Sequence, residues 1–69
     1  MKVSARNHLK GTIKSLTIGT VNTEVVIEVA PGVEVVSTIT KASAEAMELA
    51  EGKEVYAMVK ASNIMLAVD

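Results

Sequence analysis

The chain has 69 residues, no cysteine, one histidine and a formal net charge of −1. That length allows one domain, over residues 1–69, whose core is too small to be comfortable alone. Disulfides are excluded and a structural zinc site lacks ligands, so association with further copies is the remaining source of stability. Apolar residues make up 49% of the chain, yet there is no Phe, no Trp and a single Tyr. A general nucleic-acid binder carries a basic excess and stacking aromatics, and this chain has neither. No apolar run reaches the roughly 20 residues of a membrane-spanning helix, and the N-terminus lacks the apolar stretch of a secretory leader. The absence of cysteine fits a cytoplasmic location.

Alternation with a period of two dominates the chain. Leu9, Gly11 and Ile13 alternate with Lys10, Thr12 and Lys14, which predicts a first strand. Ile18-Gly19-Thr20 reads as the following turn. Val21, Thr23, Val25, Ile27 and Val29 form one face of a second strand. Ala30-Pro31-Gly32 predicts a tight hairpin. Val33, Val35, Ser37 and Ile39 then form one face of a third strand.

The alternation stops at "TKASAEAMELAEG", which is rich in good helix formers. Thr40 or Ser43 supplies an N-cap and Glu45 lies near the positive helix end. Ala46, Met47 and Ala50 form the expected buried stripe, and Gly52 closes the helix in the left-handed conformation. Val55, Ala57 and Val59 mark a fourth strand. A fifth, over Ile64 to Val68, is apolar on both faces. The order β-β-β-α-β-β predicts an all-β fold with one short helix, a five-stranded barrel of the OB type. A small sandwich or roll shares that order. The doubly apolar last strand, with Val26, Val36 and Met58 on otherwise polar faces, predicts burial between subunits.

Enzyme signatures are missing. There is no phosphate-binding glycine loop, no Gly-x-Ser-x-Gly and no His-Glu-x-x-His. Glu24, Glu28, Glu34, Glu45, Glu48, Glu51 and Glu54 read as a solvated coat, and His8 as a surface or interface residue. No set of side chains reads as ligands for a metal cation, and no cofactor is expected. Two clusters stand apart: Ser4-Ala5-Arg6-Asn7 near the start and Lys60-Ala61-Ser62, followed by Asn63, near the end. Both carry donors and no carboxylate. Arginine offers a planar donor fork, lysine a compact charge, and the alanines leave room for an anion to approach the backbone. This donor set suits a small oxyanion. The plainer alternatives are an Arg6–glutamate surface pair and a turn at Ser62-Asn63.

"SARNHLKGTI", "VVIEVAPGVEVVSTIT" and "VKASNIMLA" resemble, in order and spacing, the Mop-type molbindins, small proteins made of one molybdate-binding domain of the TOBE kind. The resemblance covers essentially the whole chain. It implies an OB-like fold and a homohexamer arranged as a trimer of dimers. It implies non-enzymatic binding of molybdate or tungstate between subunits, for intracellular molybdenum storage. The first site would join Ser4, Ala5, Arg6 and Asn7 of one subunit to Lys60, Ala61 and Ser62 of another. A second, built largely from backbone groups, would use Gly19, Thr20, Val21 and Asn22, which otherwise form an ordinary hairpin turn. The competing reading is a sensing or delivery module that acts through a protein partner. An OB-fold nucleic-acid binder would rest on Tyr56 alone.

Overall fold

The computed structural model describes residues 1–69. Four antiparallel strands and one short helix make up the fold: β1 (Asn7–Ile18), β2 (Asn22–Ala30), β3 (Val33–Thr40), α1 (Lys41–Ala46) and β4 (Glu54–Val59). The sheet order is β3-β2-β1-β4. Residues of both edge strands, among them Val35 and Ile39 of β3 and Val55 and Ala57 of β4, line one groove. A sheet whose two edges share a groove is curled into a half-barrel.

Register explains which residues face inward. Ile13 stands opposite Ile27, and Leu16 opposite Val25. Between Ile13 and Ser15 the pairing shifts, so Lys14 is an extra residue on β1. Such a bulge changes the parity of a strand. Inward positions therefore run Leu9, Gly11 and Ile13 before it and Leu16 after it. Gly11 is required here, because a Cβ would lie 2.7 Å from both the Glu28 carbonyl oxygen and Ile27 Cγ2. The core proper is Ile13, Val25 and Ile27, with Leu16, Val29, Val35, Ile39, Leu49, Val55 and Ala57 packed partly buried around it. Full burial of such side chains stabilises by about 1.5–3 kcal/mol each. With 6 of 69 residues fully buried, that gain is small for an isolated chain.

The predicted hairpins form where expected. Gly32 has φ 75, the left-handed conformation that Pro31-Gly32 supplies at the second turn position. Thr40 caps α1, and its side chain accepts a 3.0 Å bond from the Ser43 backbone N–H. The end of the helix differs from expectation. α1 stops at Ala46, and the left-handed residue after it is Glu48, at φ 53. Gly52, at φ 86, serves the turn before β4 instead. Lys53 satisfies carbonyls that the early stop leaves free: its Nζ donates to the Met47 and Glu48 carbonyls, at 2.6 and 3.3 Å. The buried helical residue is Ala44, not Ala46, Met47 or Ala50, and Glu45 falls in the last turn.

The expected fifth strand is not formed, so the fold has four strands rather than five. Ala61–Asn63 make a 3-10 turn, and no regular structure follows it. Met65, Leu66 and Val68 are 92, 93 and 96% exposed. The period-two pattern there is real, but a strand forms only where a partner strand is available to it. No helix is long and apolar enough to cross a membrane.

Candidate functional site

The two donor clusters leave the same end of the sheet. β1 and β4 run antiparallel, with Asn7 opposite Val59, His8 opposite Met58 and Leu9 opposite Ala57. The ladder ends at the Asn7–Val59 pair, and Arg6 and Lys60 are the next residues along each chain, so both clusters begin at neighbouring strand ends. β2 and β3 do not reach so far, since β2 ends at Ala30 and its last partner on β1 is Thr12, opposite Glu28. The end of β1 and β4 is thus a two-stranded arm whose Leu9, Met58 and Val59 still line the groove of the half-barrel, with the clusters just past it.

At that tip Ser4, Arg6, Lys60, Ala61 and Ser62 are exposed, and Ala5 and Asn7 are half-buried. None of their side chains makes a hydrogen bond within the chain. The side-chain bonds present belong to Lys14, Thr40, Ser43 and Lys53. The ion pairs are Lys10–Glu54, at 3.4 Å, and Lys14–Glu34. Arg6 is therefore not tied to a surface glutamate. Ser62 and Asn63 do form a turn, in which the Asn63 N–H donates to the Lys60 carbonyl at 2.9 Å. The amides of Ala61 and Ser62 precede that first bond and are left as donors, as at the start of any helical turn. A guanidinium, an ammonium, two hydroxyls and free amides at one end of the sheet, with no carboxylate among them, make that end donor-rich.

The second predicted group, Gly19, Thr20, Val21 and Asn22, occupies the opposite end of β1. It is a tight turn in which the Gly19 N–H donates to the Asn22 carbonyl at 2.8 Å. A Cβ on Gly19 would come within 2.9 Å of that oxygen. The Val21 carbonyl accepts from the Lys41 N–H at 2.8 Å, which ties the turn to the start of α1. All four residues are exposed. The structure thus keeps the two predicted groups at separate ends of β1.

A groove of about 300 Å³ between the edges of β3 and β4 was not anticipated from the sequence. Fourteen of its fifteen lining residues are hydrophobic, so it suits apolar side chains and not an anion. Its signal was present in Val36, Tyr56 and Met58, which are apolar on outward positions and reach its rim. No three His, Asp or Glu side chains cluster as metal ligands. The one shifted pKa is remote from the tip: Glu34 raises that of Lys14 by hydrogen bond and charge.

The TOBE domain family matches residues 3–66. The chain belongs to this family, and within it to the Mop-type molbindins. It is 42% identical over 69 residues to a probable molybdenum-pterin-binding protein of Haemophilus influenzae, covering 100% of both chains. It is 49% identical over 69 residues to the molybdenum transport protein ModE of Azotobacter vinelandii, but spans only 26% of that longer protein. Among solved structures, a molybdate-binding protein from Sporomusa ovata superposes with a TM-score of 0.91 at 37% identity, over 99% of this chain and 100% of that one. Such molbindin neighbours share the mostly β, OB-like architecture.

Proposed function

We propose that this molbindin binds molybdate, and tungstate with it, as a non-enzymatic store of molybdenum in the cytoplasm. One domain spans residues 1–69. Ser4, Ala5, Arg6 and Asn7 of one subunit and Lys60, Ala61 and Ser62 of another enclose the ion, within a homohexamer built as a trimer of dimers. Gly19, Thr20, Val21 and Asn22 provide a second, backbone-lined site. The observation that carries this reading is that both donor clusters leave the sheet at the same end and no side chain of either has a partner within the chain, so each is open to the complementary cluster of another subunit.

The chemistry follows from the ligand. Molybdate is a tetrahedral dianion, and hydrogen bonds to its oxygens are charge-assisted and stronger than neutral ones. Removing a dianion from water is costly unless all its oxygens find donors. A single arm is open to solvent, so one chain offers donors on one side only. A second chain closes the shell. The small core and the exposed Met65, Leu66 and Val68 supply a reason for the chains to associate.

Calorimetric titration with molybdate, tungstate, sulfate and phosphate, with solution mass measured in parallel, tests the reading. Saturable molybdate binding by an oligomer is expected. A monomer indifferent to molybdate and tungstate overturns it. The likeness to a quarter of ModE favours a second reading, in which the domain reports bound molybdate to a protein partner. Capture of a partner that depends on molybdate would select that reading over storage.

A further inference from the structure

The chain's charges are strongly segregated despite the net of −1. Residues 1–23 contain Lys2, Arg6, Lys10 and Lys14 and no Asp or Glu, and residues 55–68 contain Lys60 and no Asp or Glu. The seven glutamates all fall between Glu24 and Glu54. The register turns this sequence asymmetry into a spatial one. Glu54 stands opposite Thr12 and Glu28 opposite the same residue, so both lie at the base of the arm. Glu54 is held there by Lys10, and Glu34 is held by Lys14 on the bulge. The paired stretches of the arm beyond Lys10 hold no carboxylate, and Arg6 and Lys60 follow directly on their last pair. Asp69, the one remaining acid, comes after Ile64–Val68.

His8 lies on the paired part of this arm, next to the last pair of the ladder. It is exposed, on the opposite face of β1 from the inward Leu9, and its cross-strand neighbour is the apolar Met58. Two residues of extended chain span at most about 7 Å, so position 8 lies within that backbone reach of Arg6. At that separation a unit charge and a dianion interact appreciably even through water, and the interaction fades as salt shortens the screening length.

We propose that the carboxylate-free arm is an electrostatic collector for dianionic oxyanions, and that charge at position 8, outside the donor set, sets their rate of capture. This rests on the oxyanion-binding reading above. The collector responds to charge and not to ion size, so it serves molybdate, tungstate and sulfate alike. Discrimination among them is left to the enclosed donor shell. Charges at the rim of a site act chiefly on association and its salt dependence.

The test is rapid mixing of the intact protein with molybdate at pH 8, at ionic strengths of about 0.01 and 1 M set with sodium chloride. The variants are His8→Lys, His8→Glu and the neutral His8→Gln, each also titrated at equilibrium. At low salt, His8→Lys is expected to associate about two- to fivefold faster than His8→Gln, and His8→Glu slower by a similar factor. At high salt the three rates converge. Dissociation rates move less than association rates. If all three bind molybdate at rates that do not order by charge, the collector is wrong while the binding site stands. If the unmodified protein binds no molybdate at all, both proposals fall. A variant that fails to assemble is replaced by the same charge series at Lys2, two residues before Ser4, where the same ordering is required.

Discussion

Arg6 and Lys60 illustrate how much a single residue is asked to do at an anion site. Neither has an ion-pair partner in the chain, so neither holds the fold together through charge. Arg6→Ala and Lys60→Ala should therefore weaken molybdate binding with little effect on folding. Loss of a hydrogen bond to a charged group costs about 1.5–3 kcal/mol, or roughly ten- to a hundredfold in affinity. Calorimetry on both variants checks this, and unchanged affinity in both removes the first site. Thr23 poses the reverse case. It is 1% exposed, and its Oγ1 has no hydrogen-bond partner. Its position in the alternation is that of a core residue, between Val21 and Val25, and an apolar side chain of the same shape would fill it. Thr23→Val should raise stability by about 1 kcal/mol, since it removes an unsatisfied buried hydroxyl. In a chain of this length that is a melting shift of about 4–8 °C. A lower melting temperature would mean that the hydroxyl is satisfied after all.

The elements were legible where local chemistry and the sheet agreed. Pro31-Gly32 fixed one hairpin, Gly19 another, and Thr40 the start of α1. The end of α1 was not legible, because the carbonyls it frees are taken up not by the next helical turn but by Lys53, six residues beyond Met47. The bulge at Lys14 was hidden for a similar reason: it is a property of the β1–β2 pairing and not of either strand. The fifth strand was over-read, since an alternating pattern reports what a segment can pair with and not whether that partner lies in the same chain. The donor clusters were visible as residue types, whereas their placement at one end of the sheet depended on the β1–β4 register.

Two predictions belong to these elements. A non-glycine residue in the left-handed region costs about 1–2 kcal/mol, partly offset by the entropy glycine loses on folding. Glu48→Gly should thus stabilise by about 0.5–1 kcal/mol, read by chemical denaturation, whereas Glu48→Val should destabilise. The Lys14–Glu34 pair sets a pH limit. The hydrogen bond that Lys14 donates to the Glu34 carboxylate, followed by the charge of Glu34, raises the Lys14 pKa above 10.5. A raised folded-state value means that the stability contributed is complete below 10.5 and is lost as pH climbs through the folded value. Melting curves of the unmodified protein and Lys14→Gln should keep a constant gap from pH 7 to 10 and converge above that. A gap that closes near neutrality would contradict the pairing.

At the scale of the whole molecule, ligand and assembly are expected to be one equilibrium. The half-barrel has two free edges, a hydrophobic groove between them and an apolar tail, Ile64 to Val68, outside it. The tail begins two residues after Ser62, so whatever buries it also positions the Lys60-Ala61-Ser62 donors. Binding to the assembled state alone stabilises it by about 2.7 kcal/mol at a hundredfold excess over the dissociation constant. For a chain of this size that is a rise in melting temperature of about 10 °C or more. Saturating molybdate should give such a rise in the intact protein. Removing residues 64–69 should lower the solution mass and abolish the molybdate-dependent rise together, because both depend on the same buried tail. Leu66→Asp should reproduce both losses without shortening the chain. Light scattering and melting curves on the three proteins decide the matter: a truncated chain that keeps its mass and still responds to molybdate would separate assembly from the tail, and with it the account of how the donor shell closes.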